Sequence, residues 1–599
     1  MIYNPLDKFF KSNVGAVPEQ EETTFRVKGN FDSVVFAFKK DGEEKFNFYS
    51  MTKVDSYFEI KLKFNVGLYF YFFKIDSGEF ISQNKLIFGE IMSNIIPFQL
   101  TVYKKEYVVP NWFLGGIMYQ IFPDRFNRST ANKQLPTGKV FHENWSDEPI
   151  YEPNKDGKIL NNDFFGGDLQ GIREKLGYLS ELGVTVIYLN PIFKAYSNHR
   201  YDTGDYMQID PVLGNEKDFI ALIRDAESYG IKIVLDGVFN HTGDDSVYFN
   251  KYGNYDSVGA YQSKDSKYYD WYDFIDYPNE YDSWWGIKTL PSLNEKCDRY
   301  VDFITGANGV IEKYTNLGVG GWRLDVVDEL PSEFVKKIRN SVKKSNENAV
   351  IIGEVWEDAS NKISYGKRRE YFQGEELDSV MNYPLKNAIL SFVNGKGVSE
   401  LISTIRLQID HYPSAVLNSL MNILSTHDTM RLINALSGVD YKGMTKSQIA
   451  KIKSSDFDYF TTLFKVKAAS LLQFTLCGVP CVYYGDEVGL DGGFDPLNRR
   501  TFPWGKENGE LCNWYKKLAE IRRSYSAFSK GEFKEVYSSN GMFIFRRVDE
   551  NCDILVAVNV GGENQELNFD GKVQNLLDEK VYDGAFQINP NSLAVLVKP

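Results

Sequence analysis

Apolar and polar positions change rhythm along the chain, and the changes divide it. In Tyr57-Phe58-Glu59-Ile60-Lys61-Leu62-Lys63-Phe64 apolar and charged residues alternate strictly, which puts successive side chains on opposite faces of a half-buried strand. Residues 34–38 and 67–75 read as further strands, and short strands with turn residues but no strong helical period predict an N-terminal β-sandwich over residues 1–110. From Ile117 onward, strand-like runs alternate with helical ones. Ile172, Leu176, Leu179 and Leu182 mark one helical face, and Phe219, Leu222, Ile223 and Ala226 the next. Strands are predicted at 117–122, 184–189, 231–238, 321–326, 349–355, 379–383, 417–424 and 479–484. Eight strands alternating with helices make the count of a (β/α)8 TIM barrel, here spanning residues 111–510. Between the third and fourth strands, residues 242–300 are too long for a simple loop and are rich in Tyr and Trp. They read as an inserted subdomain overhanging the barrel mouth, most of its rings forming its core and a few facing a ligand. Residues 511–599 begin with a helix and then alternate, which predicts a C-terminal β-sandwich.

Composition narrows the partners. The 599 residues carry a net charge of −13 and no long basic cluster, which argues against nucleic acid and anionic membrane. There is no run of 18 uninterrupted apolar residues, so no spanning helix is expected. The opening Met-Ile-Tyr-Asn-Pro-Leu-Asp-Lys lacks the basic-then-apolar pattern of a secretory leader. The five cysteines are odd in number and lack zinc-type spacing, so a reduced, cytoplasmic setting is the expectation.

The candidate chemistry sits at the carboxyl ends of the predicted barrel strands, where polar residues are usually catalytic. The third strand ends Asp236-Gly237-Val238-Phe239-Asn240-His241, the fourth supplies Arg323 and Asp325, the fifth Glu354, and the seventh His427-Asp428. An arginine beside an aspartate holds it ionised, as a carboxylate nucleophile requires. Paired carboxyl groups flanking a bond are what glycoside hydrolysis needs, and a third close by raises the pKa of the acid. Phosphoryl transfer would want a glycine-rich phosphate cradle, and none follows a strand here.

The stretches 236–241, 321–329, Gly353-Glu354-Val355-Trp356 and Ser425-Thr426-His427-Asp428 resemble the four signature regions of the α-amylase superfamily. Leu290-Pro291-Ser292-Leu293-Asn294 resembles its additional region, and with Glu329 and the N-terminal sandwich it points to the neopullulanase/cyclomaltodextrinase/maltogenic amylase branch. The resemblance implies that Asp325 is the nucleophile, Glu354 the general acid/base and Asp428 a carboxylate that binds sugar hydroxyls. It implies that Arg323 keeps Asp325 ionised, that His199, His241 and His427 bind sugar, and that Tyr201 stacks under the sugar being cleaved. Asp495 and Arg499 would contact the next sugar, and Trp356 would stand on the acceptor side. Asp236 would order the site through Arg323.

The resemblance also implies a structural calcium between the loop after the first strand and the Phe165-Gly166-Gly167-Asp168 turn, with Asn127, Asn132, Gly167 and Asp168 as candidate ligands. That loop, Asn127-Arg128-Ser129-Thr130-Ala131-Asn132, lacks the expected aspartate, and calcium wants six to eight oxygens, usually including carboxylates. No cofactor is expected for the chemistry itself. The expected function is retaining hydrolysis of maltodextrins, cyclodextrins and pullulan by a homodimer. The alternatives are a glucanotransferase using the same intermediate, or an inactive amylase-like binding protein.

Overall fold

The computed structural model describes residues 1–130, 138–539 and 541–598, and among these eight parallel strands form one sheet that curls into a barrel. They are β1 (Met118–Ile121), β2 (Val186–Leu189), β3 (Lys232–Gly237), β4 (Gly321–Leu324), β5 (Val350–Gly353), β6 (Ser379–Val380), β7 (Met421–Ile423) and β8 (Val479–Tyr483). β8 pairs with β1, and a parallel bridge from Met381 to Met421 joins the β6 end to β7. Each predicted barrel strand is present and each is shorter than expected, three of them for a visible reason. β4 stops before Asp325, Tyr383 opens the helix Tyr383–Val393 instead of ending a strand, and Leu417 closes the short helix Ser414–Leu417. In the second case Pro384 supplies the cause: it removes a donor the ladder would need and suits the first turn of a helix.

Period-two alternation sorts the strand residues. Met118, Val186, Tyr188, Val234, Val350, Ile352, Met421 and Cys481 fill the barrel interior. Tyr119, Ile187, Leu189, Ile233, Leu235, Trp322, Leu324 and Ile351 face outward into the cluster that holds the helices. The predicted helical face at Ile172, Leu176, Leu179 and Leu182 is buried as its spacing requires, but it is carried by two helices, Leu169–Glu174 and Leu176–Glu181, broken at Lys175. Because Asp236 and Arg323 occupy inward positions at the ends of β3 and β4, they meet inside the mouth instead of reaching solvent.

The N-terminal unit stacks a three-stranded sheet on a larger one around an aromatic core that includes Tyr3, Phe25, Phe36, Tyr71, Phe73 and Phe98. It is fastened to the barrel by the fully buried Lys11–Asp410 ion pair. At the other end, six antiparallel strands between Glu532 and Val597 form one sheet that packs on itself. Phe543, Phe545, Val556 and Val595 face the barrel helices. On the other face Phe586 and Ile588 fold back over Met542, Ile544 and Leu555, so a single rolled sheet supplies both layers. A register break between Asn568 and Lys572 permits the roll. The helix Gly509–Ser524 packs with the barrel through Leu511, Tyr515 and Leu518.

The insert after β3 contains little regular structure. Tyr248, Phe249, Trp271, Tyr272 and Tyr281 are buried, and Tyr248 and Trp271 also pack on Phe303. Its core is therefore continuous with that of the barrel.

Candidate active site

Arg323 is the centre of the site. Its side chain is fully buried, and its guanidinium lies 2.9 Å from Asp236, 2.8 Å from Asp325 and 2.8 Å from Glu354. One planar cation therefore gathers carboxylates from the ends of β3, β4 and β5, which are far apart in sequence. The chain turns sharply just past the nucleophile candidate: Val326 sits at φ +39°, an unusual conformation for a β-branched residue. The turn aims the Val326 N–H at Glu354 Oε2, 2.8 Å away, while Glu354 Oε1 accepts from the Trp356 indole at 3.1 Å. Both oxygens of Glu354 are thus oriented. Trp356 is itself held by a stack on Tyr383 at 3.8 Å and remains 46% exposed.

Asp325 and Asp236 hold their protons more tightly than separate carboxyls would. Burial pushes the Asp325 carboxyl up, Glu354 and Asp236 push the same way, and Arg323 opposes them. Burial likewise raises Asp236, again against Arg323. With one guanidinium facing both, proton loss from Asp325 and Asp236 belongs to the pair and not to one residue.

The imidazoles are kept neutral. Burial lowers His241 to about 4 and takes His199 and His427 well below the usual histidine range. In His241 the Asn240 side-chain amide donates to Nδ1 at 3.2 Å, so Nε2 carries the proton. That Nε2 is buried without a partner among the described residues. His427 belongs to a continuous chain. Gln120 donates to its Nδ1 at 2.8 Å, its Nε2–H lies 2.6 Å from the Tyr201 hydroxyl, and Tyr201 donates to Asp236 at 2.8 Å. Tyr201 also lies flat on the His427 ring, 5.1 Å away at 8°. His199 accepts at Nδ1 from the Tyr201 backbone at 3.1 Å. Asp428 stands 3.1 Å from His427 and 3.7 Å from Arg499, and Arg499 pairs with Asp495 at 2.7 Å. Burial raises the Asp428 carboxyl, with Arg499 opposing.

The sequence-predicted residues Asp325, Glu354, Asp428, His199, Tyr201, His241, Arg323, Trp356, His427, Asp495 and Arg499 thus lie around one mouth. Sequence reasoning did not single out Tyr188, Gln120, Tyr383, the Val326 N–H or Asn190, whose amide donates to the Tyr201 hydroxyl at 2.9 Å. Tyr188 is an inward position of β2 whose hydroxyl donates to Asp236 at 2.6 Å. Strand alternation alone could have flagged it as a polar group pointing into the barrel.

The calcium candidates are used differently. Asn132 lies outside the described residues. Asn127 donates to the Gly171 carbonyl and accepts from the Asp168 N–H. Asp168 caps the helix Leu169–Glu174 and accepts from Ser129. Gly167 is needed for clearance, because a Cβ there would stand 2.2 Å from the Pro123 carbonyl. The Arg128 guanidinium reaches the carbonyls of Phe165, His142 and Glu143 at 2.6, 2.9 and 3.3 Å. Among the described residues no cluster of three His, Cys, Asp or Glu fit for a metal occurs. A cationic side chain among carbonyls is a poor donor set for calcium. Among the described residues, those in place do not fit the ion.

Residues 120–509 match the family of the alpha amylase catalytic domain. The chain belongs to the α-amylase family. An amylopullulanase of Thermoanaerobacter thermohydrosulfuricus is 35% identical over 607 residues, covering 90% of this chain and 40% of that protein. A cyclomaltodextrinase of Thermoanaerobacter pseudethanolicus is 30% identical over 566 residues, covering 90% of this chain and 88% of that protein. A solved cyclomaltodextrinase structure covers 100% of this chain and 99% of its own at 26% identity, with a TM-score of 0.71. The chain spans 33% to 48% of the length of the amylopullulanases it matches. The barrel mouth is therefore that of an α-amylase-family catalytic domain, with sheet domains on either side.

Proposed function

We propose that this α-amylase-family chain is a retaining α-glucan hydrolase that cleaves α-1,4 bonds in maltodextrins, cyclodextrins and pullulan. The observation that carries the reading is the seating of Asp325 and Glu354 on one guanidinium at an open mouth. Asp325 Oδ attacks the anomeric carbon while the proton held by Glu354 passes to the leaving glycosidic oxygen. Glu354 then takes a proton from water, whose oxygen displaces Asp325 and restores both carboxyl groups. Arg323 favours the ionised form of Asp325. His241 Nε2–H, the His427 edge and Asp428 stand ready for sugar hydroxyls. Relatives named cyclomaltodextrinase and neopullulanase support the substrate class.

A second copy of the chain is part of the reading. The edge strand Asn47–Ser50 of the N-terminal sheet is exposed throughout, with Phe48 and Tyr49 turned to solvent, and such an edge pairs readily with another chain. Five cysteines without a disulfide among the described residues fit a reducing, cytoplasmic compartment. Among the described residues no helix is long and apolar enough to cross a membrane.

Initial rates on β-cyclodextrin, pullulan and soluble starch test the reading, with Asp325→Asn as control. Faster turnover of cyclodextrin or pullulan than of starch, lost by at least about 10³-fold in the variant, is expected. Activity that survives Asp325→Asn would overturn the assignment of the nucleophile.

A further inference from the structure

Three loops meet beside the mouth, one of them the hairpin that follows Glu354 and Trp356. Glu329, four residues past Asp325, accepts from the Trp285 indole at 3.1 Å with Oε1, and its Oε2 accepts from the Tyr365 hydroxyl. Trp285 comes from the insert after β3, and Tyr365 from a hairpin after β5. Each ring is tethered at its polar tip, Trp285 also rests against Trp284, and most of each side chain faces solvent: Trp285 is 78% exposed and Tyr365 71%. Large aromatic rings usually lose their surface to a core or a partner, so two held in place with this much ring surface exposed suit an occupant.

The backbone points the same way. Ile363–Ser364 pairs with Lys367–Arg368, leaving Tyr365-Gly366 as a two-residue turn with φ +50° and +72°. Such a turn favours Asn-Gly, and tyrosine at its first position is strained by roughly 1 kcal/mol. Trp285 is also held at φ +50°. The hairpin does not float: Ser364 donates to the Asp328 carbonyl at 2.7 Å, Lys362 pairs with Asp328 at 3.2 Å, and Arg368 reaches Asp41 of the N-terminal unit at 3.0 Å. The platform is also continuous with the catalytic mouth. His241 stacks on Trp284 at 5.2 Å, and Trp284 stacks on Trp285 at 5.5 Å.

We infer that Trp285 and Tyr365, clasped by Glu329, form a stacking site for sugar residues of the leaving glucan chain beyond those flanking the scissile bond. The inference rests on the α-glucan reading above and adds to it a site on this chain's own hairpin. Sugar rings present flat C–H faces to aromatic rings, and Glu329 fixes the angle of both rings before a chain arrives, so little ordering is left for binding. Binding energy gained there is available to the reacting bond only when the substrate has a leaving chain long enough to reach it.

The test compares maltohexaose with α-maltosyl fluoride, whose leaving group carries no sugar. Trp285→Ala, Tyr365→Ala and Tyr365→Asn are each expected to lower kcat/KM on maltohexaose by roughly tenfold while leaving fluoride release unchanged. Tyr365→Asn suits the turn, so it keeps the hairpin folded while removing the ring. Tyr365→Phe keeps the ring but loses the tether to Glu329, and is expected to fall between wild type and Tyr365→Ala. Equal losses on both substrates would mean a structural role and would overturn the inference, as would an unchanged ratio in all four variants. A wild-type enzyme inactive on both substrates would instead overturn the α-glucan reading itself.

Discussion

Glu376 shows how one buried residue sets a pH dependence. It lies just before β6, fully buried, and neither carboxylate oxygen has a hydrogen-bond partner among the described residues. Burial raises its carboxyl to about 7. A raised carboxyl binds its proton more tightly in the folded state, so its contribution is complete below the unfolded value and is lost as pH rises through about 7. Glu376→Gln removes the titration while keeping the shape. The variant is expected to gain on wild type between pH 5.5 and 8.5, by about 2 kcal/mol of stability read as a relative rise in melting temperature. A difference independent of pH would show that the carboxyl is ionised throughout. At the same scale, Asp325, Glu354 and Arg323 were legible because each ends a predicted strand and the strands converge at a barrel mouth. The Val326 N–H was not legible, because a positive φ in a β-branched residue contradicts what its local sequence favours.

The loop after β1 shows the same limit for an element. Phe165-Gly166-Gly167-Asp168 reads as part of a calcium site, yet its second glycine is explained by the Pro123 carbonyl and its aspartate by helix capping. Arg128 ties the loop to three carbonyls and lies over the Phe141 and Trp145 rings. Arg128→Ala is expected to cost about 3 kcal/mol in thermal or denaturant unfolding. Excess chelator is expected to leave the wild-type melting temperature unchanged, and a clear drop on chelation would restore a metal to this loop. The hairpin at 363–368 was missed for a different reason. Four paired residues around a Tyr-Gly turn give no run long enough for alternation to register.

On the scale of the whole molecule, the N-terminal unit presents Phe48 and Tyr49 on an unpaired edge strand. If a partner copy covers them, light scattering at micromolar concentration will show a dimer, and Phe48→Lys will shift it toward monomer. The variant is then also expected to gain starch activity relative to cyclodextrin, because the mouth loses a cover. A wild-type protein that is monomeric under these conditions would remove the dimer from the reading.

The sequence by itself determined the eight barrel strands, the sheet units on either side and the polar residues that gather at the strand ends. Strand alternation and strand-end polarity are local properties, and burial enforces them wherever the chain folds. Only the tertiary structure decided that three carboxyls share Arg323, that Gln120, His427, Tyr201 and Asp236 form one chain, and that Glu329 joins rings from two distant loops. Those relations join residues tens to hundreds of positions apart. Their energies depend on the distance and dielectric between side chains, which exist only once the barrel has closed.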